Sequence, residues 1–206
     1  MDAPEHPQIY LITPPSFDLD AFPDLMARVL DRVEVACLRL TMATSDADQI
    51  ARAADALREV AHARDIALVV SDHVALAERL GLDGVHLSDA AKSVRAARKA
   101  LPEDTIVGSF CGTSRHDGMS AGEAGADYIS FGPLTANGLG DGSEVDHELF
   151  QWWSEVIEIP VVAEGGVTAA VAEALAPRVD FFGIGEEIWS TEDPAAALAE
   201  LAAIFR

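Results

Sequence analysis

Only a few residues in this chain combine a reactive side chain with a setting that would put it to work. Arg39 stands inside the apolar run Val35-Ala36-Cys37-Leu38-Arg39-Leu40, where a guanidinium is costly to bury unless it meets an anion or a carboxylate. Ser71-Asp72-His73 closes one short apolar run, and His86-Leu87-Ser88-Asp89 closes another. Asp72 and Asp89 are the hard oxygen donors that hold magnesium together with water, and equally the residue type that caps a helix N-terminus. His73 and His86 can each move a proton or simply satisfy a rim position. Further along, Glu164-Gly165-Gly166 and Gly183-Ile184-Gly185 leave backbone amides unobstructed, which is how phosphate is commonly seated. The acids beside them, Glu164 and the pair Glu186-Glu187, would repel a dianion unless turned outward or bound to a metal. Cys37 and Cys111 lie singly in apolar runs, which reads as buried thiols and suggests neither a disulfide framework nor a zinc site.

Positioning these residues falls to a regular alternation. Short apolar and β-branched runs at Gln8 to Thr13, Glu34 to Leu40, Ala67 to Ser71, Gly84 to Leu87, Thr105 to Phe110, Tyr128 to Phe131, Val161 to Glu164 and Phe181 to Gly185 read as strands. Helical patterns follow them at Phe22 to Val33, Asp46 to Arg64, His73 to Leu80, Ala91 to Ala100, Arg115 to Ala124, His147 to Ile157, Thr168 to Leu175 and Ala195 to Phe205. Ser45 or Asp46, Thr168 and Pro194 supply helix start signals. Eight such units at a period of about 25 residues, with no linker between them, predict one closed parallel (β/α)8 barrel, a TIM barrel, as a single domain over residues 1–206. A doubly wound open sheet is the second architecture compatible with the pattern. In a barrel the chemistry sits at the carboxyl ends of the strands, where all the residues above fall. Trp152, Trp153 and Trp189 are assigned to packing, because no basic residues interleave with them.

Acidic residues outnumber basic ones 35 to 14 and the net charge is −21, which excludes a nucleic-acid or anionic-membrane surface. No apolar run approaches the roughly 20 residues of a membrane span, and the first residues lack a secretory pattern. A soluble cytoplasmic protein with a small-molecule substrate is expected, with a homodimer as its default assembly.

In order along the chain, Tyr10-Leu11-Ile12-Thr13, Ser71-Asp72-His73, Asp83-Gly84-Val85-His86-Leu87, Gly125-Ala126-Asp127-Tyr128-Ile129 with Gly132-Pro133, and Val161-Val162-Ala163-Glu164-Gly165-Gly166-Val167 resemble the thiamine phosphate synthase family and its TenI-like relatives. The resemblance implies that thiazole phosphate displaces pyrophosphate from hydroxymethylpyrimidine pyrophosphate, with magnesium neutralising the leaving group. It implies a site with Arg39 and His73 as catalytic groups. Arg39, Ser71, Cys111, Gly166 and Gly185 would surround the substrate phosphates, and Asp72 with Asp89 would hold Mg2+. Within it, Arg39 matches the arginine of a Gln-x-Arg-x-Lys motif, Asp72 a magnesium ligand and Gly166 the backbone seat of the thiazole phosphate.

The chain departs from the family pattern where the charges are. Cys37 and Thr41 replace the glutamine and lysine around Arg39, Ser88-Asp89-Ala90-Ala91 replaces Gly-Gln-x-Asp, and the lysine of the loop from Gly132 to Gly140 is absent. Gly185-Glu186 stands where the family has Val-Ser. A competing expectation is therefore a barrel that has lost synthase activity and binds a cationic or neutral ligand at an acidic mouth. A thiazole tautomerase is disfavoured, since such relatives carry histidine where this chain has Pro133.

Overall fold

A computed structural model describes residues 6–136 and 139–205. Eight parallel strands close into a barrel in sequence order: β1 (Gln8–Ile12), β2 (Cys37–Leu40), β3 (Ala67–Ser71), β4 (Gly84–Leu87), β5 (Ile106–Phe110), β6 (Tyr128–Phe131), β7 (Val161–Glu164) and β8 (Phe181–Ile184). The seam is ordinary sheet, with Tyr10 of β1 opposite Gly183 of β8. The open doubly wound sheet is thereby ruled out.

Around the strands run α1 (Phe22–Arg32), α2 (Ala47–His62), α3 (Val74–Leu80), α4 (Val94–Ala100), α5 (Arg115–Glu123), α6 (His147–Val156), α7 (Ala169–Leu175), α8 (Glu186–Trp189) and α9 (Pro194–Phe205). Their inner faces meet the outward strand residues, as when Ile9, Leu11, Leu38 and Leu68 pack with Met26, Leu57 and Leu198. Side chains alternate along a strand, so the other parity fills the barrel. There Tyr10, Val69, Tyr128 and Val162 form a small separate cluster.

Boundaries depart from the expected ones where side chains compete with the backbone. Asp46 caps α2 by accepting from Asp48 N and Gln49 N, and Thr168 caps α7 through Val171 N. Asp72 and Asp89 cap nothing. Asp72 sits at φ 61° and His73 takes the cap position of α3. Helix α4 starts at Val94, three residues later than expected, because Asp89 accepts from the Ser93 hydroxyl at 2.6 Å and amide at 3.4 Å across a turn in which Ala90 has φ 57°. The short helix α8, placed directly on the end of β8, was not expected from the pattern; it is pinned by Trp189 Nε1 donating to Ile12 O at 2.6 Å. Trp153 is buried in the core as assigned.

Candidate active site at the carboxyl ends of the strands

The inward parity places a polar ladder where most barrels have aliphatic layers. Arg39 of β2 and Glu164 of β7 meet across the interior in a two-pronged ion pair, Nη1 to Oε1 at 3.2 Å and Nη2 to Oε2 at 2.6 Å. They meet over β8 and β1, where Gly183 of β8 has no side chain; a Cβ there would come within 2.6 Å of the Glu164 Cβ. Below them the Tyr10 and Tyr128 hydroxyls lie 2.5 Å apart, and Tyr128 also reaches His86 Nδ1 at 2.9 Å. Gly108 makes room for the Tyr128 ring, which a side chain at that position would overlap.

Burial dominates the electrostatics of this cluster. Burial works against an ionised Glu164, but the Arg39 charge, His86 and the hydrogen bonds from Arg39 outweigh it and hold the carboxyl below its ordinary range. Burial works against the Arg39 charge in the same way, and Glu164 overcomes it, so the guanidinium is held more firmly protonated than usual. Burial, followed by the nearby Arg39 charge, pushes the His86 imidazole down to about 3. Burial first of all raises both tyrosines well above their usual value. The interior is a neutral assembly of one ion pair, one uncharged imidazole and two phenols. Arg39 Nε is buried without a hydrogen-bond partner.

At the rim above, the two glycine segments converge as a phosphate cradle would. Gly165 at φ 85° and Gly166 at φ 87° use the left-handed region to turn successive amides inward. The resulting seat is filled by the chain's own carboxylate. Glu187 Oε1 accepts from Gly166 N at 2.8 Å and Val167 N at 2.9 Å, while Oε2 accepts from Gly185 N at 2.7 Å. The other two acids flanking the glycine segments, Glu164 and Glu186, stay out of the seat. Glu164 is instead engaged with Arg39, and Glu186 is exposed. A cleft of about 300 Å³ opens beside the cradle, lined by Thr13, Arg39, Thr41, Glu164, Gly185 and Glu187 among others.

The opposite half of the mouth holds the remaining expected residues. Ser71 is half-buried at the end of β3. Asp72 is exposed and accepts from Ser88 N and Oγ, both at 2.8 Å. His73 is half-buried and its side chain makes no capping bond to α3. A second cleft of about 520 Å³ is lined by Ser88, Asp89, Lys92, Cys111, Ser114 and Asp141, among others. Burial pushes the Cys111 thiol up to about 12, so it serves as a small apolar wall beside Ser109 and not as a thiolate. Asn137 and Gly138 of the loop from Gly132 to Gly140 lie outside the described residues.

The structure thus brings Arg39, Gly166 and Gly185 to one side of the mouth, and Asp89 with Cys111 to another. Tyr10, Tyr128 and Glu187 carry parts of the site that sequence reasoning did not assign. Two tyrosines at inward strand parity were a readable signal for the first two. For Glu187 there was only its place beside Gly185. Among the described residues, no three His, Cys, Asp or Glu side chains gather into a metal cage, and no helix is long and apolar enough to cross a membrane.

Against this geometry the comparisons with known proteins are consistent. The profile of the thiamine monophosphate synthase family matches residues 9–188. The thiamine-phosphate synthase of Rhodospirillum centenum is 40% identical over 202 residues, covering 97% of this chain and 98% of the relative. That of Erythrobacter litoralis is 39% identical over 201 residues, covering 93% and 92%. Among solved structures, the thiamine phosphate pyrophosphorylase from Pyrococcus furiosus superposes with a TM-score of 0.83 at 23% identity, over 96% of this chain and 94% of that one.

Proposed function

This chain belongs to the thiamine monophosphate synthase family, and on that premise we propose that it joins hydroxymethylpyrimidine pyrophosphate to thiazole phosphate, giving thiamine phosphate and pyrophosphate. The bond from the pyrimidine's methylene carbon to pyrophosphate breaks as the bond to the thiazole forms. No residue has to supply a covalent intermediate, so the work of the protein is positioning and charge stabilisation. The observation that carries the reading is the converging amide cradle of Gly166, Val167 and Gly185, an anion seat that already holds a carboxylate in the cleft containing Arg39.

Within that reading Arg39 orients the anionic substrate. Glu164 takes two of the five guanidinium donors, leaving the pair able to present further N–H groups while its own charge is balanced. Ser71 at the end of β3 and Cys111 in the wall of the second cleft are the substrate contacts on the opposite half of the mouth, with the half-buried His73 beside Asp72 as the second catalytic group. Asp72 fits a magnesium ion of the kind that takes one or two carboxylates plus water and substrate phosphate: it is exposed, and each oxygen keeps a lone pair beyond its bond to Ser88. Asp89 fits less well, since its carboxylate is turned into its own loop on Ser93. Such an ion would neutralise charge on the departing pyrophosphate. The same reading places the chain in the cytoplasm, where its free thiols stay reduced, and makes it a homodimer by the usual habit of soluble enzymes.

Pyrophosphate release from the two substrates with magnesium, compared between the native chain, Arg39→Ala and Ser71→Ala, tests this. Release by the native chain that drops in both variants is expected. No release above background overturns the synthase reading, and release unchanged in both variants overturns the residue assignment.

A further inference from the structure

We propose that Glu187 is a specificity-determining residue of the mouth: its carboxylate is an internal anion in the phosphate cradle, and a substrate phosphate binds only by exchanging with it. The inference rests on the reading that this cradle receives the phosphate of the second substrate.

Three features of the contact support exchange over a fixed structural role. A simple cap of α8 needs only the bond from Gly185 N, yet the other oxygen reaches across to Gly166 N and Val167 N, so the side chain satisfies two separate loops at once. The partners are all backbone amides. Among the described residues, none of the ion pairs involves Glu187, so no cation locks it in place. The residue is half-exposed and borders the cleft of about 300 Å³, which gives both a route out and space for an incoming group. Glu164, by contrast, is sealed.

The seat is also well defined without its occupant. Gly165 and Gly166 hold their positive φ values through the backbone, with Leu134 N donating to Gly165 O at 2.7 Å, and α8 is tied to β1 by Trp189. Vacating it exposes three aligned donors to the cleft. A phosphate brings at least as many acceptor oxygens and more charge than a carboxylate, so the same three N–H groups suit it. Its apparent affinity is lowered by the fraction of molecules in which Glu187 is withdrawn, about tenfold if one molecule in ten is open.

The test uses inorganic phosphate and isotope-labelled full-length protein, following backbone amide signals. Glu187→Ala is expected to bind phosphate about tenfold more tightly than the native chain or more, with shifts at Gly166, Val167 and Gly185. Glu186→Ala removes the same charge from the neighbouring exposed acid and is expected to change the affinity by less than about twofold. Equal tightening in the two variants would mean that only the net charge matters, and would overturn the proposal. Should Glu187→Ala lose its folded spectrum, Glu187→Gln replaces it, with tightening beyond that of Glu186→Ala supporting the exchange and equality overturning it. In the synthase assay, Glu187→Ala is expected to lower KM for thiazole phosphate, and Glu186→Ala to leave it within about twofold. Absence of turnover in both proteins would count against the synthase reading alone, because the phosphate titration stands without it.

Discussion

Glu164 and Glu187 stand at the same end of the barrel and each fills a seat that an anion would want, yet their surroundings make them different devices. Glu164 lies in the interior at 1% exposure with a guanidinium across from it. Glu187 lies at the rim and is held by three neutral amides with solvent alongside. Withdrawing a buried partner leaves an uncompensated charge in a low-dielectric space, whereas at the rim water can take over the vacated donors. Glu164 therefore serves to hold Arg39 in place, and the rim is where binding can be adjusted.

The comparison breaks most visibly if the ion pair is cut. Glu164→Ala is expected to lower unfolding free energy by about 3 to 5 kcal/mol in a denaturant titration, because Arg39 stays buried without its counter-ion. Replacing both partners by apolar residues, Arg39→Met with Glu164→Leu, should recover most of that loss. A double variant as unstable as the single one would show that the pair is not the source of the effect.

Acid probes the same interior. His86 has a folded-state pKa of about 3 against an ordinary value of 6.5, so between those values the unfolded chain holds the extra proton. Stability from this residue is complete above about 6.5 and declines as pH falls through that window, by at most about 1.4 kcal/mol per pH unit. Glu164, whose carboxyl is held below its ordinary 4.5, adds a loss in the same direction at the acid end. His86→Phe should flatten the upper part of the profile; an unaltered slope in the variant would assign the effect elsewhere.

Rim changes should be milder for the fold. Glu187→Ala is expected to cost no more than about 1 kcal/mol of stability, since its three partners can turn to water. A loss comparable to that of Glu164→Ala would erase the distinction between the two regions. The smallest stability effect is expected for Asp72→Asn, about 0.5 kcal/mol, as an exposed side chain that keeps one acceptor for Ser88. That variant should nonetheless raise the magnesium concentration needed for half-maximal pyrophosphate release.

Much of this molecule could be read directly from residue order. The eight alternating units specify parallel strands with helices between them, whereas closure is decided by the pairing of β1 with β8. The rim segments were legible too, since barrels expose chemistry only at strand ends. Arg39 announced that it needed an anion, because no arginine is buried alone. Its partner was hidden: Glu164 lies 125 residues away, and its position depends on Gly183 of β8 having no side chain to collide with it. The glycine segments likewise announced an anion cradle, but several acids flanked it. Only the short turn of α8 on β8, tied to Ile12 through Trp189, decided that Glu187 enters the cradle while Glu186 faces solvent. Local pattern determines which side chains face the barrel interior and which loops reach its mouth. Which charged group meets which depends on strand register and on the space left by missing side chains, and these exist only once the barrel has closed.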